Sequence, residues 1–388
     1  MSESNTAARK RQFRRRRITV AVIGVLLIAA VVALFVWIIP ALTSTDDASA
    51  PAASTEADAD PDASASASPS AAPLTAAQQL LAGSDDPAAC AVTFTGENIA
   101  DAPLLQTTGA LYSALPIPAA EGTVFAGWYA TPEAAAAHDR LQRVNGADEV
   151  ACIDQEITLH AGWISPEENA AADTAVPILM YHQFTTKPEG EEGWLRGNYA
   201  FVGDWEAHMA YIAEKQFYLP TWDELSAFID GKLYLPYDSI IVTDDDADST
   251  WLELAVPIAE KYKILTTSFV ITSARTEPTP SKYVMQRSHT HDMHTAGDNG
   301  EGRMVNWSAE QIAADLETSA QILGAKEVVA YPFGHHDERS KEGVAAAGYE
   351  MARTIEQGYV RIGTDKFALP CVRINFGMTV DDLKGLVE

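Results

Sequence analysis

Positive charge is scarce in this chain. Its 27 Lys and Arg face 54 Asp and Glu, for a net charge of −27. Seven of the basic residues crowd into residues 1–17 beside a single acidic one, so the rest carries 20 basic against 53 acidic side chains. Phosphate backbones need the opposite sign, which excludes nucleic acid as a partner. Cysteine is scarcer still. Three in 388 residues cannot staple a disulfide-built fold, and Cys90, Cys152 and Cys371 match neither a CxxC redox pair nor a zinc knuckle. Aromatic residues are missing altogether from residues 42–75, which are almost entirely Ala, Ser, Thr, Pro and Asp. Such a stretch buries too little apolar surface to offset ordering, so residues 40–88 are expected to be a disordered linker.

One long apolar run does occur. Ile18 to Ile39 is 22 residues whose only polar side chain is Thr19. As a helix it would span about 33 Å, enough for the hydrocarbon core of a bilayer. Arg14 to Arg17 precede it and Thr43-Ser-Thr-Asp-Asp47 follows, which predicts a basic cytoplasmic tail (1–17), a transmembrane anchor (18–39) and an extracellular remainder. A cleaved signal peptide is the weaker reading, because the small-residue site Ala48-Ser-Ala50 lies too far downstream. Outside the membrane, Cys90 and Cys152 are the pair expected to bond.

Residues 89–165 change character. Ala91–Phe94, Thr123–Tyr129 and Ile157–Trp163 are rich in β-branched and aromatic residues and read as strands, with an Ala-rich helix over Pro132–Leu141. Phe125-Ala-Gly-Trp-Tyr129 followed by Thr158-Leu-His-Ala-Gly-Trp163 resembles the small β-grasp-like repeat of Listeria–Bacteroides-type surface proteins. Trp128, Tyr129 and Trp163 are candidates for stacking on sugars or, alternatively, the core and rim of a spacer or adhesion module.

From Val176 strands and helices alternate. Helices at Trp205–Lys215, Thr221–Ile229, Trp251–Tyr262, Ser308–Gly324 and Glu338–Ala347 separate the strands at Val176–His182, Ser239–Asp246, Thr266–Ile271, Glu327–Tyr331 and near Val372. This order predicts an α/β domain over 174–388, a parallel sheet closed or nearly closed as a barrel. Ser239-Ile-Ile-Val-Thr243 ends abruptly in Asp244, Asp245, Asp246 and Asp248, four carboxylates at the carboxyl end of a buried strand. Like charges this close call for a cation. It is not an EF-hand, since Ser249 and Ala255 stand where the required Gly and Glu belong. Ser288-His-Thr-His-Asp-Met-His294 holds three of the nine histidines. His289 and His294 with one aspartate form a two-nitrogen, one-carboxylate set suited to a catalytic divalent metal, most simply zinc; His291 is assigned to solvent.

In order along the chain, Pro177-Ile-Leu-Met-Tyr-His182, Thr243-Asp-Asp-Asp246, Ser288-His-Thr-x-x-x-His294 and Ala330-Tyr-Pro-Phe-Gly334 resemble the polysaccharide deacetylase family (NodB-homology, carbohydrate esterase family 4). Its fold is a distorted (β/α) barrel. The five-residue step from His289 to His294 and the opening Tyr-His resemble the branch with biofilm poly-N-acetylglucosamine deacetylases. The resemblance implies Asp245 as general base, and Asp246, His289 and His294 as metal ligands. It further implies the Phe333 backbone N–H as oxyanion donor and His182 as general acid, since no histidine follows His336. His335 is the spare acid. Asp244, Ala247, Asp248 and Ala330 depart from the family pattern, and Arg373 is the candidate to offset the charge beside Asp245. The implied activity is metal-dependent deacetylation of extracellular polysaccharide containing N-acetylglucosamine, peptidoglycan first and exopolysaccharide second. The other readings are a weakened glycan-binding or adhesion protein and an O-acetyl esterase.

Overall fold

The computed structural model describes residues 73–388, and the predicted tail (1–17), anchor (18–39) and most of the linker lie outside the described residues. Among the described residues no helix is long and apolar enough to cross a membrane. The end of the linker is ordered, which corrects the expected boundary at residue 88. Helix α1 (Ala76–Ala82) starts at a capping box in which Thr75 and Gln78 satisfy each other's backbone amides, and it buries Ala77.

A mixed five-stranded sheet follows, in the order β2-β1-β5-β3-β4. Its strands are β1 (Ala89–Thr95), β2 (Leu104–Thr107), β3 (Val124–Tyr129), β4 (Arg143–Val144) and β5 (Glu156–Ile164), with α2 (Pro132–Ala137) after β3. Only β1 and β5 run parallel. Cys90 and Cys152 are bonded. Trp128 and Tyr129 do not serve as sugar platforms: they are 2% and 1% exposed. The Trp128 indole donates to Pro116 O (2.8 Å), and Phe125 packs edge-on to both Trp128 and Trp163.

After α3 (Pro166–Ala171) the chain enters the barrel with β6 (Ile178–Tyr181). A small parallel pair, β7 (Gln183–Thr185) and β8 (Tyr199–Phe201), precedes α4 (Val202–Lys215) and α5 (Trp222–Ile229). The alternation continues through β9 (Ile241–Asp246), α6 (Val256–Tyr262), β10 (Thr266–Val270), β11 (Val284–Ser288), α7 (Ala309–Leu323) and β12 (Val328–Ala330). It ends with α8 (Glu338–Ala346), β13 (Met351–Gln357), β14 (Leu369–Arg373) and α9 (Val380–Val387). Seven strands close in the order β10-β11-β12-β13-β14-β6-β9, and every neighbouring pair is parallel. The β-branched and apolar runs of β6, β9 and β12 are buried on both faces, as strands lined by side chains inside and helices outside must be.

The small sheet is packed onto this barrel. Phe125 N–H donates to Lys232 O and Tyr234 N–H to Phe125 O, just before β9 begins. One continuous core joins Phe94, Phe125 and Trp128 of the sheet to Trp222, Phe228 and Leu233, and through them to Ile178, Ile241 and Met351 inside the barrel. The sheet therefore covers the amino ends of the strands. The carboxyl ends, where β9 delivers Asp244 to Asp246, stay open.

Candidate active site

Alternation along β9 sorts its aspartates. Asp245 points into the barrel mouth, where His182 at the end of β6 places Nε2 3.7 Å from its Oδ2. The Arg353 guanidinium from β13 pairs with Asp245 Oδ1, and both side chains are buried. Burial alone would push the Asp245 carboxyl up, but Arg353, His182 and His289 together hold it below the usual carboxylate range. Asp244 faces the opposite way. It is fully buried, accepts from Ala247 N–H (3.2 Å), and burial with its acidic neighbours pushes its carboxyl well above normal. Asp248 closes the next turn, accepting from Thr250 Oγ1 (2.7 Å) and Trp251 N–H (3.0 Å). The two acidic departures thus have local structural partners outside the cavity.

The chain turns sharply after β9, with Asp246 at φ 79° and Ala247 at φ 51°. This turn swings Asp246 toward the loop after β11. Asp246 Oδ1 lies 3.4 Å from His289 Nε2 and 3.3 Å from His294 Nε2, and it is buried without a hydrogen bond. Three donors at these separations fit one small cation, since tetrahedral bonds of about 2.0–2.1 Å put neighbouring ligand atoms roughly 3.3 Å apart. His289 is set for this role by its other nitrogen, where Nδ1–H donates to Ala330 O (2.9 Å) and leaves Nε2 facing Asp246. Burial lowers the affinity of His289 for a proton, yet Asp246 and Asp245 more than reverse this and raise its pKa. Burial and the neighbouring His289 charge lower that of His294. Burial lowers that of His182 too, against the pull of Asp245.

The loop carrying the two histidines is held from α7. Asp315 accepts from His291 N–H and Asp292 N–H, both at 2.8 Å, while Met293 is buried beneath. His291 is not simply solvated as expected. It is half-buried, with Nδ1 3.1 Å from Thr272 Oγ1, and it points away from the cluster. His335 accepts from Gly302 N–H (3.0 Å), apart from the cavity. Phe333, at φ 59°, sits at the crest of the turn after β12, with its ring 4.4 Å from His294. Gly334 follows at φ 73°, where a Cβ would collide with Ile355.

His182, Asp245, Asp246, His289, His294 and Phe333 open onto one hollow of about 340 Å³. Arg373 lines it too, but its guanidinium donates to Asn198 Oδ1 (2.6 Å). The counter-charge to Asp245 is Arg353, not Arg373. Sequence reasoning missed it because it comes from a strand 108 residues away, although an Arg following Met351-Ala352 in a strand-like stretch was a usable signal. Arg353 is register partner to Ala330 on the adjacent strand β12. Asp315 and Gln183, whose amide lies 3.3 Å from Asp246 Oδ2, were missed as well.

Residues 234–352 match the family described as Polysaccharide deacetylase. A poly-beta-1,6-N-acetyl-D-glucosamine N-deacetylase of Staphylococcus aureus is 27% identical over 161 residues, covering 36% of this chain and 56% of that protein. The chain thus spans little more than half the length of this curated relative. Among solved structures, the deacetylase PplD of Streptococcus pyogenes in complex with acetate aligns at 19% identity and TM-score 0.47, covering 56% of this chain and 99% of the other. IcaB from Ammonifex degensii aligns at 20% and 0.45, covering 55% and 96%. Asp245, Asp246, His289, His294 and Phe333 all lie inside the segment that matches the polysaccharide deacetylase family.

Proposed function

We propose that the protein hydrolyses the acetamide of N-acetylglucosamine residues in an extracellular polysaccharide, releasing acetate and leaving a free amine on the polymer. One observation carries this reading: an ionised, Arg-paired Asp245 faces His182 across the same hollow in which Asp246, His289 and His294 converge. A divalent cation held by those three residues, most simply zinc, would supply Lewis-acid polarisation of the acetyl carbonyl and acidify a water. Asp245 accepts the proton of the attacking water as its oxygen bonds to the acetyl carbon. The Phe333 N–H donates to the developing oxyanion. His182 returns a proton to the nitrogen as the C–N bond breaks; burial lowers its pKa, and the Asp245 charge beside it works against that shift.

Peptidoglycan is the first candidate polymer for an enzyme tethered by residues 18–39, with the N-terminus cytoplasmic and the catalytic domain outside. The poly-beta-1,6-N-acetyl-D-glucosamine for which the Staphylococcus relative is named supports a secreted exopolysaccharide as the second candidate. The test is acetate release by the full-length protein from both polymers and from an O-acetylated xylan. Release from an N-acetylated glucan, lost on chelation and in Asp245→Asn, supports the proposal. No acetate from any of them, together with no stoichiometric zinc, leaves a glycan-binding protein instead.

A further inference from the structure

We propose that Trp194 is the platform on which a pyranose ring of the substrate stacks, an inference that rests on the deacetylase reading of the same hollow. Trp194 is 90% exposed, whereas Trp205, Trp222 and Trp251 are fully buried. An indole left in water forgoes the burial that places nearly all such side chains inside, so its position calls for a partner. It lines the rim of the catalytic hollow beside Leu195.

The loop that presents it is pinned. At its start Glu191 accepts from Thr185 Oγ1 (2.7 Å) and from Lys187 Nζ (2.6 Å). Beside it Gly190 lies against the Phe376 ring, where a Cβ would approach to 2.7 Å. At its end Arg373 holds Asn198 (2.6 Å), and Phe376 N–H donates to Gly197 O (3.2 Å). The crest is closed on itself, with Arg196 N–H donating to Gly193 O (3.4 Å) and Asn198 N–H to Leu195 O (2.8 Å). The indole is therefore carried on a fixed support, which lowers the ordering cost of binding.

Phe333 and Ile355 add further apolar surface to the same hollow and are 39% and 41% exposed. Asp245 and Asp246 line it as well. A β-linked N-acetylglucosamine ring has two C–H faces and a polar edge, so one face against Trp194 would turn its acetamido group toward Asp245 and Asp246. A membrane is the other surface an exposed Trp-Leu pair could meet. Glu189, Glu191 and Glu192 flank Trp194, however, and oppose an anionic lipid surface.

The test uses full-length protein carrying Asp245→Asn to prevent turnover, with penta-N-acetylchitopentaose as probe and isothermal calorimetry as readout. Adding Trp194→Ala is expected to weaken binding about tenfold or more, while Trp194→Tyr stays within about threefold. Circular dichroism checks that each variant is folded. An unchanged Kd in the alanine variant overturns the proposal, as does a parent that binds no pentamer. Trp194-dependent capture by phosphatidylglycerol vesicles with an unchanged sugar Kd overturns it in favour of the membrane. Trp194-dependent sugar binding in a protein that releases no acetate supports the platform while removing the reaction.

Discussion

At the scale of the residue, the site depends on a buried pair that joins two distant strands. Arg353 is fully buried and Asp245 nearly so, and neither charge would be tolerable there alone. Arg353→Met leaves Asp245 buried and uncompensated, which is expected to cost about 3–5 kcal/mol in urea unfolding. The pH dependence follows from the sign of the shift. Because the folded carboxyl sits below its ordinary value, its contribution to stability is complete above about pH 4 and is lost as pH falls through the folded value. With Arg353 removed, burial dominates and the Asp245 pKa rises, so the acidic limb of the pH–rate profile moves to higher pH. An acidic limb that stays in place in Arg353→Met would show that the guanidinium does not set the charge state of the base. The proposed ligands, the proposed base and His182 could be picked out together because each sits in a short local motif. Arg353 could not, because its partner is chosen by barrel closure and by the register that sets it beside Ala330.

At the scale of the element, the catalytic groups ride on turns that helices hold from behind. The histidine loop owes its course to Asp315, which takes two backbone amides from the middle of α7. Asp315→Ala removes both acceptors without touching a ligand. The expected result is a 10–100-fold loss of zinc affinity in a competition titration, the range seen when the outer support of a metal site is removed. Asp315→Asn, which keeps one acceptor oxygen, should fall between. Equal affinity in all three proteins would mean that the loop holds itself. Helix starts were readable throughout, since Thr221 with Glu224 and Ser308 with Gln311 form the capping boxes their spacing announces. An aspartate in mid-helix that serves a loop 23–24 residues upstream has no such local signature.

At the scale of the whole molecule, the sequence reading separates a spacer module from a catalytic barrel, whereas the structure gives them one core. Composition marks the change at residue 89 but cannot say which faces meet. Burial at the joint is chemically specific. Arg143 of β4 donates to Tyr234 O (2.8 Å), stacks on the Tyr218 ring at 4.4 Å, and lies 3.6 Å from Glu224 Oε1. Asn145 Nδ2 reaches Glu224 Oε2 (2.7 Å) and Leu219 O (2.9 Å). Gly127, at φ 115°, leaves the room Arg143 needs, since a Cβ there would collide with its guanidinium. A barrel cut off before residue 174 would expose Trp222, Phe228 and Leu233 and strand Glu224 without its partners. Two outcomes follow. The full-length protein should unfold its described part in one cooperative transition, and the 174–388 fragment should not give soluble, monomeric protein. The Cys90–Cys152 bond, closing a loop of 62 residues entirely within the small sheet, then bears on the barrel as well. Replacing both cysteines by serine should lower that single transition by about 4 kcal/mol, the chain-entropy estimate for a loop of this length. Barrel and sheet probes should shift together. Monitored by near-ultraviolet circular dichroism and by loss of zinc binding, two separated transitions, with the barrel's left in place, would mean that the sheet is an appendage after all.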